Sequence, residues 1–262
     1  MDRGKSMAGT VSIERLSEIA VVRFDRKGRA NALSFAMMDE LAAAARSFET
    51  DAAVRVVVLA GAPGIFSSGM DLADPAFERI ATMSFADRRM LAEHGPRLAR
   101  AWAGIEAPTI AAIEGPCLAG GLALAAMCDF RVAAETARFG APEIEVAHNM
   151  GWHTVPRLVA ILGVQATRRL LIAGEQWSAA EARAAGLIDW TAAPGKAFDL
   201  ALEKARHIAG YPAVAARMIK RQVEAAAHGS DWGVSAMDKD QQLAVWLSEE
   251  FAAVRRRFAG KG

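Results

Sequence analysis

The sequence predicts an α/β fold, because short apolar segments typical of buried strands alternate with segments of helical periodicity. The clearest strand is VRVVVLAG at 54–61, whose nearly continuous apolar run is expected where both faces of a sheet are covered. From residue 196 onward the pattern is helical. We therefore predict an α/β core over 11–195 and a helical C-terminal region over 196–262, after a disordered leader at 1–10.

Local sequence patterns predict the strands, the helix and the loop of the N-terminal part. Segments 11–16 and 19–25 are predicted strands of a hairpin, since only a two-residue turn separates them. Ser34 is a predicted helix N-cap, because apolar residues recur after it at intervals of three and four. The stretch 62–85 has turn signals and weak periodicity. We predict a long loop there, of the kind that often carries function.

The rest of the chain continues the alternation of strands and helices. Residues 86–104 are predicted to form a helix that Pro96 kinks or divides. Further strands are predicted at 108–115, 130–135 and 187–192, and further helices after Gly120, in PRLVAILG, in QATRRLLIAG and after Ser178. The helical tail is expected to break at 210–212 and near 229–233, where glycine and proline occur.

Charge and cysteine content exclude several classes of protein. Lys and Arg number 31 against 30 Asp and Glu, so nothing favours binding to nucleic acid or to an anionic membrane. No segment reaches the roughly 18 apolar residues of a membrane span. Cys117 and Cys128 lie in apolar surroundings, which predicts reduced thiols and a cytoplasmic location. No cluster of His, Cys and carboxylates has the spacing of metal ligands, so we predict no metal site.

Two adjacent glycines, Gly120 and Gly121, stand between a predicted strand and a helix. The start of that helix exposes unpaired N–H groups and the positive end of its dipole, which bind either a phosphate or a developing oxyanion. The segment lacks the Gly-Lys-Ser/Thr ending of a P-loop and the Gly-x-Gly-x-x-Gly fingerprint of dinucleotide sites. Its apolar surroundings favour an oxyanion. Close packing of helix on strand is the alternative role for these glycines.

A second glycine turn follows strand 54–61, in the segment GIFSSGMDL at 64–72. Because an oxyanion hole usually needs convergent donors, the pair of turns is the arrangement that such a hole requires. Ser67 and Ser68 are candidate nucleophiles, but no histidine lies near them in sequence, which disfavours serine catalysis.

Several motifs in order resemble those of the crotonase superfamily, the enoyl-CoA hydratases and isomerases. They are VRFDRKGRANALSFAMMDEL, IFSSGMDL, PTIAAIEGPCLAGGLALAAMCDFRVA, ARFGAPEI and SAAEARAAGLIDW. The resemblance implies a crotonase-like spiral of repeated strand-strand-helix (ββα) units. It also implies a coenzyme A thioester as substrate, with no separate cofactor, and C-terminal helices that build a homotrimer or a dimer of trimers.

The resemblance also implies roles for particular residues. The oxyanion hole falls on the backbone N–H groups of Met70 and Gly120, and carbonyls of the turn from Ser68 to Leu72 would accept from the adenine amino group. The candidates for the phosphates of coenzyme A are Arg26, Lys27 and Arg29. A solvated turn is the alternative for each of these three cations.

The acid and base groups decide the reaction. Hydratases that the chain resembles hold water with a pair of glutamates; one of these positions is Ala123 here, and the other is Glu143. One carboxylate suffices to move a double bond, so we predict isomerisation of a 3-enoyl to a 2-enoyl thioester. Hydration at an atypical water site, or acyl-CoA binding without turnover, are the alternatives. Glu145 is a second candidate acid, although a solvated loop charge fits it better.

The segment VAHNMGWHTVPRL departs from the pattern of the family. Trp152 and His153 stand where small residues are common, and His148 and Asn149 add polar groups. We predict that they repack the start of a helix, since histidine is often a partly buried residue with a satisfied partner. The alternative is that they reshape the acyl pocket, with His148 or His153 as a substitute for the missing carboxylate.

Overall fold

The computed structural model describes residues 10–228 and 238–259. Residues 1–9 of the predicted leader and the predicted break near 229–233 lie outside this part of the chain. Thr10, the last residue of that leader, donates a hydrogen bond from its hydroxyl to Glu40 Oε2 over 3.0 Å.

A mixed sheet of six strands forms the centre of the described chain. Its strands are β1 (Val11–Leu16), β2 (Ile19–Phe24), β3 (Val56–Ala60), β4 (Thr109–Ile113), β6 (Phe130–Ala134) and β9 (Trp190–Ala192), in that spatial order. β1 and β2 are the predicted antiparallel hairpin, with Leu16 opposite Ile19. The other neighbours are parallel. Every strand of this sheet was predicted from its apolar pattern.

A smaller sheet was missed by the sequence prediction. Its strands are β5 (Pro116–Leu118), β7 (Arg138–Gly140) and β8 (Gln176–Ser178). Each has three residues, which is too short to show an alternating pattern. β5 follows β4 and β7 follows β6, so each pair contributes one strand to each sheet before the chain reaches the next α-helix. This is the strand-strand-helix repeat that the motifs predict.

Ten helices occur among the described residues. They are α1 (Phe35–Arg46), α2 (Phe85–Ala92), α3 (His94–Ala103), α4 (Gly120–Ala126), α5 (Thr154–Leu171), α6 (Ala179–Ala184), α7 (Ala197–Ala209), α8 (Ala213–His228), α9 (Asp238–Trp246) and α10 (Glu249–Ala259). Ser34 and Ser178 are the predicted N-caps, each accepting from a backbone N–H of the first turn. Gly163, at φ 76°, interrupts α5 where the sequence predicts a boundary between two helices.

The predicted helix over 86–104 is divided, but not at Pro96. The chain turns at Glu93, between α2 and α3. Pro96 lies in the first turn of α3, where a missing N–H removes no hydrogen bond of the helix. The break therefore precedes the proline, and Pro96 helps to begin the second helix.

The two faces of the large sheet belong to different cores, which explains the apolar run at 54–61. Val57 and Leu59 of β3 face the core formed with α1, α3 and α4, whereas Val56 and Val58 face the core formed with α7. Because alternate side chains point to opposite faces, a strand covered on both sides has no polar positions. α7 lies in the predicted C-terminal region but packs on the sheet; the division at residue 195 stays a prediction.

The predicted long loop contains short 3-10 turns at Pro75–Phe77 and Ile80–Thr82. The C-terminal helices cover it: the Phe77 ring contacts Trp246 of α9 at a centroid distance of 5.1 Å. Arg255 of α10 lies over the same ring and donates a hydrogen bond to the Phe77 carbonyl oxygen. This packing encloses the space between the loop and α4.

Candidate active site

A cavity of about 460 Å³ lies between the loop after β3, the start of α4, the segment after β7 and the C-terminal helices. Its wall brings together residues from distant parts of the chain, among them Met70, Gly120, Ala123, Glu143, Trp152 and Phe251. The predicted oxyanion donors and the predicted carboxylate therefore line one space. Arg29, Ser68 and Leu72 line it as well.

The Met70 N–H is oriented by a β-bridge. Leu33 bonds to the residues before and after Met70. Its N–H donates to the Gly69 carbonyl oxygen over 2.7 Å, and its carbonyl accepts from the Asp71 N–H over 2.9 Å. Successive backbone N–H groups of extended chain point in opposite directions. The Met70 N–H consequently points away from Leu33, and it donates to no acceptor among the described residues.

The Gly120 N–H, the second predicted donor, lies at the first position of α4. The sharp turn before it is made by Ala119, at φ 52°. A Cβ built on Gly120 would lie 3.4 Å from the Met70 nitrogen, and one on Gly69 would lie 3.1 Å from the Gly120 nitrogen. The two turns are thus close together, so the Met70 N–H lies beside the start of α4, where the Gly120 N–H is.

The adjacent glycine, Gly121, allows close packing of the helix, which is the alternative to anion binding that the sequence leaves open for these glycines. A Cβ on Gly121 would lie 2.8 Å from both the Cβ and the carbonyl oxygen of Ser67. Ser67 is fully buried, and its hydroxyl donates to the Asn31 carbonyl oxygen over 2.9 Å. The serine therefore supports the turn, which disfavours it as a nucleophile.

Glu143 lies in the 3-10 turn Pro142–Val146 that follows β7. Burial raises the pKa of its carboxyl to about 7, and its buried Oε2 has no hydrogen-bond partner in the described structure. The cavity wall has a second carboxylate, Asp71, but an ion pair of 2.6 Å with Arg26 occupies it. Glu143 is therefore the cavity carboxylate that is available for proton transfer, and Ala123 presents only a methyl group. Glu145 is exposed and does not line the cavity.

The three cations predicted to bind phosphates differ in their position relative to the cavity. Arg29 lies at the cavity wall with its side chain 63% exposed, 3.7 Å from Asp71. Arg26 is the closer partner of Asp71 and also donates to the Ala32 carbonyl oxygen. Lys27 is exposed on the same turn but does not line the cavity. Arg29 is the best placed of the three, and their role stays a prediction.

The carbonyls of the predicted adenine turn have different environments. The Gly69 oxygen accepts from the Leu33 N–H, and the Leu72 oxygen accepts from Arg255 Nε over 3.4 Å. The carbonyls of Ser68 and Met70 have no donor among the residues described. An adenine contact at this turn stays a prediction.

Trp152 packs against Gly120, at the start of α4, and against Gly95 of α3. Its side chain is held between two glycines, since a Cβ on Gly120 would lie 2.7 Å from the indole ring and one on Gly95 only 2.0 Å from it. Trp152 and His153 both have positive φ, at 60° and 57°. The bulky residue therefore shapes the cavity. The His153 ring points elsewhere, with its Nε2 3.2 Å from Arg100, and it does not line the cavity.

The sequence did not predict that the C-terminal helices line the site. Gln242 of α9 and Phe251 of α10 belong to the cavity wall. No local motif marks these positions, because their role depends on how the helices fold back over the core. In residues 10–228 and 238–259, no three His, Cys, Asp or Glu side chains are arranged to hold a metal ion. No helix in these ranges is long and apolar enough to cross a membrane.

Comparisons with known proteins identify the family and the fold of the chain. The sequence model of the family described as enoyl-CoA hydratase/isomerase matches residues 14–261. The chain is 33% identical over 253 residues to an enoyl-CoA hydratase of Mycobacterium tuberculosis, covering 95% of this chain and 93% of that protein. It is 34% identical over 217 residues to a probable enoyl-CoA hydratase of Rhizobium meliloti, covering 82% and 80%. The crystal structure of an enoyl-CoA hydratase/isomerase from Xanthobacter autotrophicus Py2 superposes with a TM-score of 0.86 at 28% identity, covering 97% of this chain and 95% of that one.

Proposed function

Because the chain belongs to the enoyl-CoA hydratase/isomerase family, we propose that this enzyme moves a carbon–carbon double bond in an enoyl-CoA thioester, with Glu143 as its single proton-transfer group. The observation that carries the proposal is which acid and base groups line the cavity. The Oε2 atom of Glu143 has no hydrogen-bond partner among the described residues, while Ala123 contributes a methyl group. A methyl group can neither hold water nor transfer a proton.

The proposed reaction begins with the thioester oxygen of a 3-enoyl substrate at the N–H groups of Met70 and Gly120. Glu143 removes a proton from C2, and the electron pair of that C–H bond delocalises over the thioester and the double bond to give a dienolate. The two donors stabilise the negative oxygen, a contribution of about 3 to 4 kcal/mol for each donor of such a site. Glu143 then returns the proton at C4, which leaves the double bond between C2 and C3.

The pKa of Glu143 suits a group that must both take and return a proton. Burial raises it to about 7, so both protonation states are populated near neutral pH. A general acid or base is most effective when its pKa lies near the working pH. A glutamate with an ordinary pKa would be almost fully deprotonated at neutral pH, so it could act as a base but would rarely be available as an acid.

The same proposal names the residues that would bind the coenzyme A part of the substrate. Arg29, at the cavity wall, would pair with a phosphate of coenzyme A, and the carbonyls of Ser68 and Met70 would accept from its adenine. Coenzyme A is part of the substrate, so no further cofactor is required. The free, buried thiols of Cys117 and Cys128 support a cytoplasmic location.

Hydration of a 2-enoyl thioester is the second candidate function. It is supported by the names of the relatives and by polar side chains in the cavity wall, His148, Asn149 and Gln242, which could hold water in place of the missing glutamate. An assay of the purified protein with crotonyl-CoA and with a 3-enoyl-CoA separates the candidates. We expect the absorbance of the conjugated thioester to rise with the 3-enoyl substrate and to stay nearly constant with crotonyl-CoA. Binding of acyl-CoA without turnover of either would contradict both candidates.

Replacing Ala123 with glutamate tests whether the missing carboxylate limits hydration. Ala123 is buried in the cavity wall near Gly120, so a glutamate there is expected to face the substrate beside Glu143. We expect hydration of crotonyl-CoA to rise about 10-fold or more, since a positioned acid or base contributes about 10²- to 10⁴-fold. Ala123→Gln is the matched control, with the same length and no transferable proton. Equal hydration by the two variants would show that the carboxylate is not the limiting group.

We also propose that the enzyme is a homotrimer or a dimer of trimers. The support is an apolar face of α8, on which Val214, Met218, Ile219 and Val223 are each at least 59% exposed. Exposed apolar patches of this kind mark protein interfaces. We expect Met218→Glu to lower the mass measured by light scattering, while Glu203→Gln, an exposed position on α7, leaves it unchanged. A monomeric parent protein would contradict the proposal.

A further inference from the structure

The indole of Trp152 lies between α3 and α4, beside the proposed acyl cavity. A Cβ built on Gly95 of α3 would lie 2.0 Å from the indole Nε1 and Cε2 atoms, and one on Gly120 of α4 would lie 2.7 Å from its Cζ3 and Cη2 atoms. The five-membered ring therefore contacts α3, and the six-membered ring contacts the start of α4. Glycine at both positions leaves room for the indole, because a side chain on either helix would overlap it.

A second cavity, also of about 460 Å³, lies further along the same two helices. On α3 it is lined by Ala99 and Ala103, which follow Gly95 at intervals of four residues and so share its face of the helix. At the end of α4 it is lined by Met127, four residues after Ala123 of the first cavity. Both cavities therefore border the same faces of α3 and α4.

Trp152 lies at the boundary between the two cavities. Its side chain lines the first cavity, whereas the next residue, His153, lines the second. On α3 the indole contacts Gly95, one helical turn before Ala99 of the second cavity. Because Trp152 is only 7% exposed, packed atoms surround its ring. The indole therefore closes the first cavity on the side that faces the second.

The part of the second cavity next to Trp152 is suited to hydrocarbon, because the residues that line it on α3 and α4 are apolar. The cavity also has cations on α5 and α8, and two of these are ion-paired. Arg157 lies 2.6 Å from Glu224, and Lys220 lies 2.7 Å from Asp129. Without the indole, methylene groups of a ligand would therefore leave water for an apolar space between the helices.

We propose that Trp152 sets the longest acyl chain that the site binds, because its indole blocks the space between α3 and α4 into which a longer chain would extend. The inference rests on the proposed function, since it places the thioester oxygen at the N–H groups of Met70 and Gly120. The Cβ position on Gly120 that overlaps the indole is 3.4 Å from the Met70 nitrogen, so the ring lies beside the thioester. The first carbons of the acyl chain therefore pass close to the ring.

Calorimetry with straight-chain saturated acyl-CoAs, from acetyl-CoA to dodecanoyl-CoA, tests the inference without requiring turnover. For the parent enzyme we expect the affinity to rise about 4-fold with each methylene until the chain fills the first cavity, and then to stop rising. For Trp152→Ala we expect the rise to continue over about two or more further methylenes, a gain of about 10-fold or more. A loss of affinity common to all chain lengths cancels in this comparison. Absence of turnover with a 3-enoyl-CoA would overturn the proposed reaction and leave the comparison intact.

Trp152→Leu is the second variant, because it removes less of the packed side chain than Trp152→Ala. Trp190→Leu is the matched control, since Trp190 lies on β9, packs against Phe130 and lines neither cavity. We expect this control to stop gaining affinity at the same chain length as the parent. Thermal unfolding identifies a variant that has lost its fold, in which case the other Trp152 variant decides. If the affinity of the parent rises through the whole series, or if the folded Trp152 variants stop at the same chain length as the parent, the proposal is overturned.

Discussion

Replacing Glu143 with glutamine is expected to lower kcat for double-bond isomerisation by about 10²- to 10⁴-fold, because the amide has the shape of the carboxyl group but cannot transfer a proton. No other carboxylate among the described residues of the cavity wall is available to substitute, since Asp71 is ion-paired with Arg26. Steady-state kinetics with a 3-enoyl-CoA measures the loss. Full activity of Glu143→Gln would remove this residue from the mechanism.

Glu145→Gln is the matched control, because this carboxylate lies two residues further on, is exposed and does not line the cavity. We expect its kcat to equal that of the parent enzyme. The parent enzyme should also show a value of kcat/KM that rises with pH through about 7 and then levels off, because Glu143 must be deprotonated to act as the base. His148 stays neutral above its lowered pKa, so it does not add a second rise in this range.

Replacing Gly69 with alanine is expected to lower kcat by about 10²- to 10³-fold, the loss associated with one donor of an oxyanion hole. Gly69 has φ 100°, a conformation that L-residues rarely adopt. An added Cβ would lie 2.5 Å from the Cβ of Ala119 and 3.1 Å from the Gly120 nitrogen. The turn that carries Met70 must therefore move away from the start of α4, and the two N–H groups no longer converge. Activity and thermal unfolding are measured on the same preparation.

Gly64→Ala distinguishes backbone strain from damage to the site. Gly64 also has positive φ, at 75°, but an added Cβ meets no atom within 4 Å. We expect this variant to lose about 1 to 2 kcal/mol of stability and to retain its kcat. The double variant Gly69→Ala/Ala119→Gly removes the contact between the two Cβ atoms, so it should recover part of the activity. Equal kcat for Gly69→Ala and the parent enzyme would contradict the proposed oxyanion hole.

Much of the fold could be predicted from the sequence, because its signals are local. The apolar run at 54–61 indicates a strand covered on both faces, and the two cores on opposite sides of β3 explain it. Serine N-caps and glycine breaks marked the ends of helices. The strands of the smaller sheet could not be predicted in this way, because three residues show no period.

The sequence by itself determined the family of this protein, the two glycine turns and the absence of a glutamate at Ala123, since each depends on residue identity and order. Only the tertiary structure decided which of these groups meet. It places the Met70 and Gly120 N–H groups and Glu143 at one cavity, puts Arg29 but not Arg26 at the cavity wall, and turns the His153 ring away from the cavity. It also brings Gln242 of α9 into the wall, more than 80 residues after Glu143 in the sequence. Contacts at such separations depend on how helices and sheets pack, and no local pattern in the chain encodes them.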